Sequence, residues 1–115
     1  MDAKEEKKKL RKQISNLRDA LTERELADRS LAVQESLFGF ESFRQARTVM
    51  LFTAFRSEVA TIPMIERAVR EGKRTAVPVS LLAERALLPC EVRDTALDLA
   101  PGAYGIMEPP PERRR

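Results

Sequence analysis

A chain of 115 residues holds one domain's worth of sequence. Its 21 Lys and Arg against 18 Asp and Glu leave a net charge of +3, too balanced for a dedicated polyanion binder. There is no histidine, which excludes Ser-His-Asp and Cys-His nucleophile systems and His-based metal hydrolysis, and the one cysteine, Cys90, has no internal disulfide partner.

The first 38 residues read as two helices. Leu10, Ile14, Leu17 and Leu21 recur at helical spacing and predict a single apolar stripe on an otherwise charged helix. Thr22-Glu23-Arg24-Glu25 fits a capping box, in which Thr22 accepts from an early backbone N–H and Glu25 reaches back to the cap. A second helix then runs to about Phe38, burying Leu26, Leu31, Val33 and Leu37, with Gly39 at its end and a short helical turn over 41–46.

Val49-Met50-Leu51-Phe52 is a continuous apolar run of strand length, the pattern of a strand covered on both faces. Thr61-Ile62-Pro63 starts a helix, with Thr61 as cap and Pro63 in the first turn, where a missing N–H costs nothing. Met64, Ile65, Ala68 and Val69 form its buried face, and Gly72 stops it. Thr75-Ala76-Val77-Pro78 follows as a strand, so the segment reads as a right-handed βαβ unit with parallel strands. Ala86 to Val92 is a third strand, where Pro89 suits an edge or a bulge, and Cys90 is a buried strand residue. Beyond it, 98–106 is turn-rich around Pro101-Gly102.

The fold class is therefore α/β: N-terminal helices, then a βαβ unit of a mainly parallel open sheet that looks incomplete. Residues 1–112 make a single domain, with 109–115 an extended, solvated tail. A parallel sheet needs both faces covered, and nothing after Ile106 supplies that cover. The chain is either a fragment or a protein that finishes its core by self-association. No apolar run approaches the roughly 18 residues that span a bilayer, and the charged N-terminus is no secretory signal. The expectation is a cytoplasmic protein with neither a membrane nor a nucleic-acid partner; a short terminal run such as Arg113-Arg114-Arg115 is ordinarily solvated tail.

Three segments could carry chemistry. Lys7 and Arg11 lie four apart on one helix face, a pair able to grip a polyphosphate, although the same pattern describes a solvated face with acidic partners. The loop 52–61 follows the first strand, and open α/β sheets bind ligands beyond the carboxyl ends of strands. Glu58 stands there as an acceptor for donor-rich ligands, or it decorates a turn with Ser57. Gly102 to Pro109 has two glycines and an aromatic but no dinucleotide or Walker pattern, and reads as a turn.

In order, Lys7-Lys8-Lys9-Leu10-Arg11, Ser57-Glu58-Val59-Ala60-Thr61, Gly72-Lys73-Arg74-Thr75-Ala76-Val77-Pro78 and Gly102-Ala103-Tyr104-Gly105-Ile106-Met107-Glu108-Pro109 resemble the N-terminal half of the 5-formyltetrahydrofolate cyclo-ligases, also called 5,10-methenyltetrahydrofolate synthetases. The resemblance implies an ATP- and Mg²⁺-dependent ring closure in one-carbon metabolism. ATP phosphorylates the formyl oxygen of 5-formyltetrahydrofolate, N10 attacks the activated carbon, and phosphate leaves to give 5,10-methenyltetrahydrofolate. It implies ATP-phosphate contacts at Lys7 and Arg11 and folate contacts at Thr53 and Glu58, with no catalytic residue and no metal ligand assigned in this chain. The family continues with further strands and a Gly-rich segment ending in a Tyr-Asp pair, absent here. The expectation is an N-terminal portion with little or no activity alone, self-associating or pairing with a C-terminal half. The alternative is a non-catalytic interaction module that completes its sheet with another chain.

Overall fold

Asp2 caps the first helix, α1 (Ala3–Asp19), in the computed structural model, which describes residues 2–115; its carboxylate accepts from the Glu5 backbone N–H at 2.8 Å. The apolar stripe along α1 is not buried, contrary to its periodicity: Leu10, Ile14 and Leu17 stand 57%, 49% and 69% exposed. Helical spacing makes a helix amphipathic without supplying a surface for its apolar side, and among the described residues nothing buries this one.

The capping box forms as read. Thr22 Oγ1 accepts from the Glu25 N–H, and Glu25 Oε1 accepts from the Thr22 N–H, both at 3.1 Å, opening α2 (Glu23–Gly39). The buried residues of α2 are Ser30 and Phe38; Leu31 and Val33 are exposed, a correction to the reading of its apolar positions. Phe38 packs edge-on against Phe43 of the short α3 (Glu41–Gln45) and lies beneath the Arg67 guanidinium, 4.3 Å away.

The sheet has the order β1 (Thr48–Met50), β2 (Arg74–Leu81), β3 (Ala86–Val92). β1 and β2 are parallel across the intervening α4 (Ile62–Arg70), while β2 and β3 form an antiparallel hairpin, so the sheet is mixed. In the hairpin Pro78 stands opposite Pro89, tolerable because β1 pairs with β2 only as far as Ala76 and β3 has no further strand on its outer side. A small second sheet pairs β4 (Ala100–Pro101) with β5 (Met107–Glu108), after a four-residue helix α5 (Thr95–Asp98).

One face of the main sheet carries the core. Ile65 of α4 packs with Val77, Val92 and Leu99, while Met64 and Ala68 turn toward Phe38. The opposite face leaves Met50 and Leu87 exposed, so the expectation of a first strand covered on both faces is corrected. No helix among the described residues is long and apolar enough to cross a membrane.

α4 ends in a Schellman motif. Gly72 adopts φ +86, the Lys73 N–H donates to the Ala68 carbonyl, and the Gly72 N–H donates to that of Val69. This turn aims Lys73 at the end of α3, where its ammonium donates to the carbonyls of Phe43, Arg44 and Ala46 at 2.9, 3.0 and 2.7 Å. The cation meets the negative end of a helix and fixes the approach to β1. Lys73→Met is expected to lower stability by about 2 kcal/mol, read as a lower urea midpoint at unchanged slope.

The segment 109–115 is not an extended, solvated tail. Pro111–Arg113 forms a 3-10 turn, and the chain returns to β3, where the Glu91 N–H donates to the Arg115 carbonyl at 2.8 Å. The attractor is Asp98, 1% exposed, which accepts from Arg113 Nη1 at 3.3 Å and Arg115 Nη2 at 3.1 Å.

Candidate functional site

The sharpest backbone feature beyond β1 is the turn at Phe55–Glu58. Arg56 sits there at φ +55, a left-handed conformation that a non-glycine residue adopts only when its surroundings impose it. The Glu58 N–H donates to the Phe55 carbonyl at 3.2 Å, and Glu58 Oε1 accepts from the Phe55 N–H at 2.7 Å. Glu58 thus closes its own turn with one carboxylate oxygen. Among the described residues no protein donor meets the other.

Three further bonds fasten this loop. Thr61 Oγ1 accepts from the Ala54 N–H at 2.9 Å, so Thr61 holds the loop with its side chain and makes no side-chain cap for α4, correcting its expected role. Ser30 Oγ of α2 accepts from the Ala60 N–H at 2.9 Å. Thr53 is buried, and its hydroxyl donates to the Met107 carbonyl at 2.6 Å. The Thr53 hydroxyl, read from the family resemblance as a folate contact, uses its one proton to join this loop to β5.

That junction brings in the segment 102–108. The Gly102 N–H donates to the Ile106 carbonyl at 2.8 Å, and a Cβ on Gly102 would lie 2.3 Å from the Glu108 side chain, which would have to swing aside to admit one. At the tip Tyr104 is held at φ +58 and is 78% exposed. A bulky residue kept left-handed with its ring in solvent is a signal that glycine counting in the sequence does not reveal.

The other half of the site is α1. Lys7, Leu10, Arg11, Ile14, Ser15 and Arg18 line a groove of about 470 Å³ along its side. Lys7 and Arg11 share this groove; Thr53 and Glu58 do not line it. The connection runs through Arg18, whose Nε donates to Ser57 Oγ at 3.1 Å, and through the Ser57 hydroxyl, which donates to the Asp19 carboxylate. Sequence reading picked out neither Arg18 nor Asp19, although Arg18 falls on the face of Lys7 and Arg11 at i+11 and i+7.

The groove is an open face of α1 alone, in which Lys7, Arg11 and Arg18 supply the cations and Leu10 and Ile14 the apolar surface. Among the described residues no three His, Cys, Asp or Glu side chains gather into a group that could cage a metal ion by themselves; Mg²⁺ is commonly held by one or two carboxylates together with substrate phosphates.

These features define an α/β domain with a βαβ core, a basic helix face and a polar turn beyond the carboxyl end of its first strand. The chain belongs to the 5-formyltetrahydrofolate cyclo-ligase family, whose sequence model matches residues 3–115. It is similar in structure to the 5,10-methenyltetrahydrofolate synthetase of Aquifex aeolicus solved by NMR, with a TM-score of 0.76 and 29% identity. That match covers 90% of this chain and 51% of the other, so the chain spans about half the length of that relative. A search of proteins of curated function gives no match.

Proposed function

We propose that this chain supplies the nucleotide-gripping helix and part of the folate-facing surface of an ATP-dependent 5-formyltetrahydrofolate cyclo-ligase. The observation that carries this reading is the connection of the Lys7–Arg11 groove, by way of Arg18 and Ser57, to the turn that Glu58 closes.

The chemistry asks for such an arrangement. A formyl oxygen on nitrogen is a poor leaving group until it becomes a phosphate ester. Transfer of the γ-phosphoryl group to that oxygen releases ADP, N10 then bonds to the formyl carbon and gives up its proton to solvent, and the C–O bond breaks with phosphate leaving. Lys7 and Arg11 hold the phosphates and offset their charge, and the Glu58 oxygen left free by the turn accepts from N–H donors of the folate.

Calorimetry of the 115-residue chain with ATP and with 5-formyltetrahydrofolate tests the reading. Binding of ATP is expected, together with little or no methenyltetrahydrofolate formation by absorbance when ATP, folate and Mg²⁺ are all present. Robust turnover by the chain alone would overturn the partial role. Binding of neither ligand would favour a second reading, a non-catalytic module that completes its sheet with another chain or another copy of itself. The exposure of Met50 and Leu87 on the open sheet face is what speaks for that alternative.

A further inference from the structure

α1 buries none of its residues, yet its basic groove must hold a defined place relative to the Glu58 turn if the two are to serve one reaction. Apolar packing does not supply that placement. Among the described residues the polar side-chain tie from α1 to the rest of the molecule is one hydroxyl: Ser57 Oγ accepts from Arg18 Nε at 3.1 Å and donates to the Asp19 carboxylate. Both partners lie in the last turn of α1, on either side of a single side chain.

Ser57 is itself held by backbone. Left-handed Arg56 precedes it, and Glu58 follows with its carboxylate bonded back to the Phe55 N–H at 2.7 Å. Any shift of Ser57 therefore moves with Glu58. The geometry points to Ser57 as a positioning residue that latches the basic face of α1 to the Glu58 turn. This rests on the proposed role of that face, but the latch is a property of the fold with its own readout.

Ser57→Ala removes both bonds and introduces no bulk, and Ser57→Thr keeps the hydroxyl. Residual dipolar couplings of the isotopically labelled full chain report the orientation of α1 against β2 and α4. In wild type and Ser57→Thr, the α1 amides are expected to fit the alignment of the core. In Ser57→Ala they are expected to shrink, while the couplings within the core and the melting temperature stay as in wild type. ATP affinity by calorimetry is expected to fall about tenfold in Ser57→Ala and to recover in Ser57→Thr.

Undiminished α1 couplings in Ser57→Ala would overturn the latch, and so would a loss of core structure, which marks a general stabilising role. An unchanged ATP affinity with loosened α1 couplings would overturn the positioning role. Should wild type itself bind no ATP, the functional reading of α1 fails, and the couplings alone decide whether Ser57 orients the helix.

Discussion

Asp98→Ala is expected to destabilise the chain by about 3 kcal/mol, the largest effect of any single substitution considered. The side chain is fully buried, and its Oδ2 accepts from the backbone N–H groups of Arg93 and Asp94 at 2.8 and 3.1 Å. Those donors belong to the turn leaving β3, so alanine strands them without an acceptor. The same carboxylate gathers Arg113 and Arg115, which bring the last residues of the chain onto β3. Both guanidiniums are partly exposed and can turn to water, which keeps the loss nearer to that of the orphaned N–H groups than to that of a fully buried ion pair. The measurement is the urea midpoint, with hydrogen exchange expected to lose protection first in 93–98 and 109–115.

The same site gives the fold an acid limit. Burial by itself raises the Asp98 pKa, but the Arg93 and Asp94 N–H bonds and the charges of Arg115 and Arg113 outweigh it, so the folded value lies below the ordinary 3.8. A depressed folded pKa means that the unfolded chain binds the proton first. The stabilisation is therefore complete above the ordinary carboxylate range and is lost as pH falls through the folded value. Glu25, bonded to Thr22, and Glu91, where the Arg74 and Arg93 charges overcome burial, are lowered as well, so acid sensitivity alone does not single out Asp98. The difference does: Asp98→Asn is expected to show a flatter decline in stability between about pH 5 and pH 2 than wild type.

How far the sequence discloses this molecule depends on the range over which each interaction acts. The Thr22–Glu25 box, the stop at Gly72 and the limits of β3 are settled within a few residues, and each is legible from spacing and backbone chemistry alone. The stripes of α1 and α4 have the same periodicity but opposite outcomes. Ile65 meets the sheet and Met64 and Ala68 meet Phe38 of α2, whereas Leu10, Ile14 and Leu17 stay exposed. Periodicity specifies which side of a helix is apolar and says nothing about what lies across from it. The structural bond of Thr53 is hidden from the sequence for a related reason: the carbonyl that accepts from its hydroxyl is 54 residues away. Ser57 looks like an ordinary turn residue until the fold delivers Arg18 and Asp19 to it from 39 and 38 residues away. The family resemblance offers Lys7, Arg11 and Glu58 as ligand contacts without relating them in space; the folded arrangement puts the two cations in one groove and leaves Glu58 outside it, beside the Ser57 that bonds to Arg18 and Asp19.

The double substitution of Lys7 and Arg11 by alanine separates a ligand-gripping face from a merely solvated one. Both side chains are exposed on α1, a helix with no buried residue, so the melting temperature is expected to stay unchanged. If the groove holds the phosphates of ATP, each cation contributes on the order of 1.4 kcal/mol, and the pair together about a hundredfold in affinity. The chemistry of the two residues then predicts an asymmetry. Lys7→Arg keeps a charge on a long stem and should retain most of the binding, while Arg11→Lys loses the planar fork that engages two phosphate oxygens at once and should not. Because the ligand is a polyanion in an open groove, wild-type affinity should also weaken with added salt, and the double variant should lose most of that salt dependence. Calorimetric titrations at two ionic strengths measure all of these. Equal affinities in wild type and the double variant would return Lys7 and Arg11 to the solvated face that their exposure also describes, and would leave the α1 groove without a nucleotide.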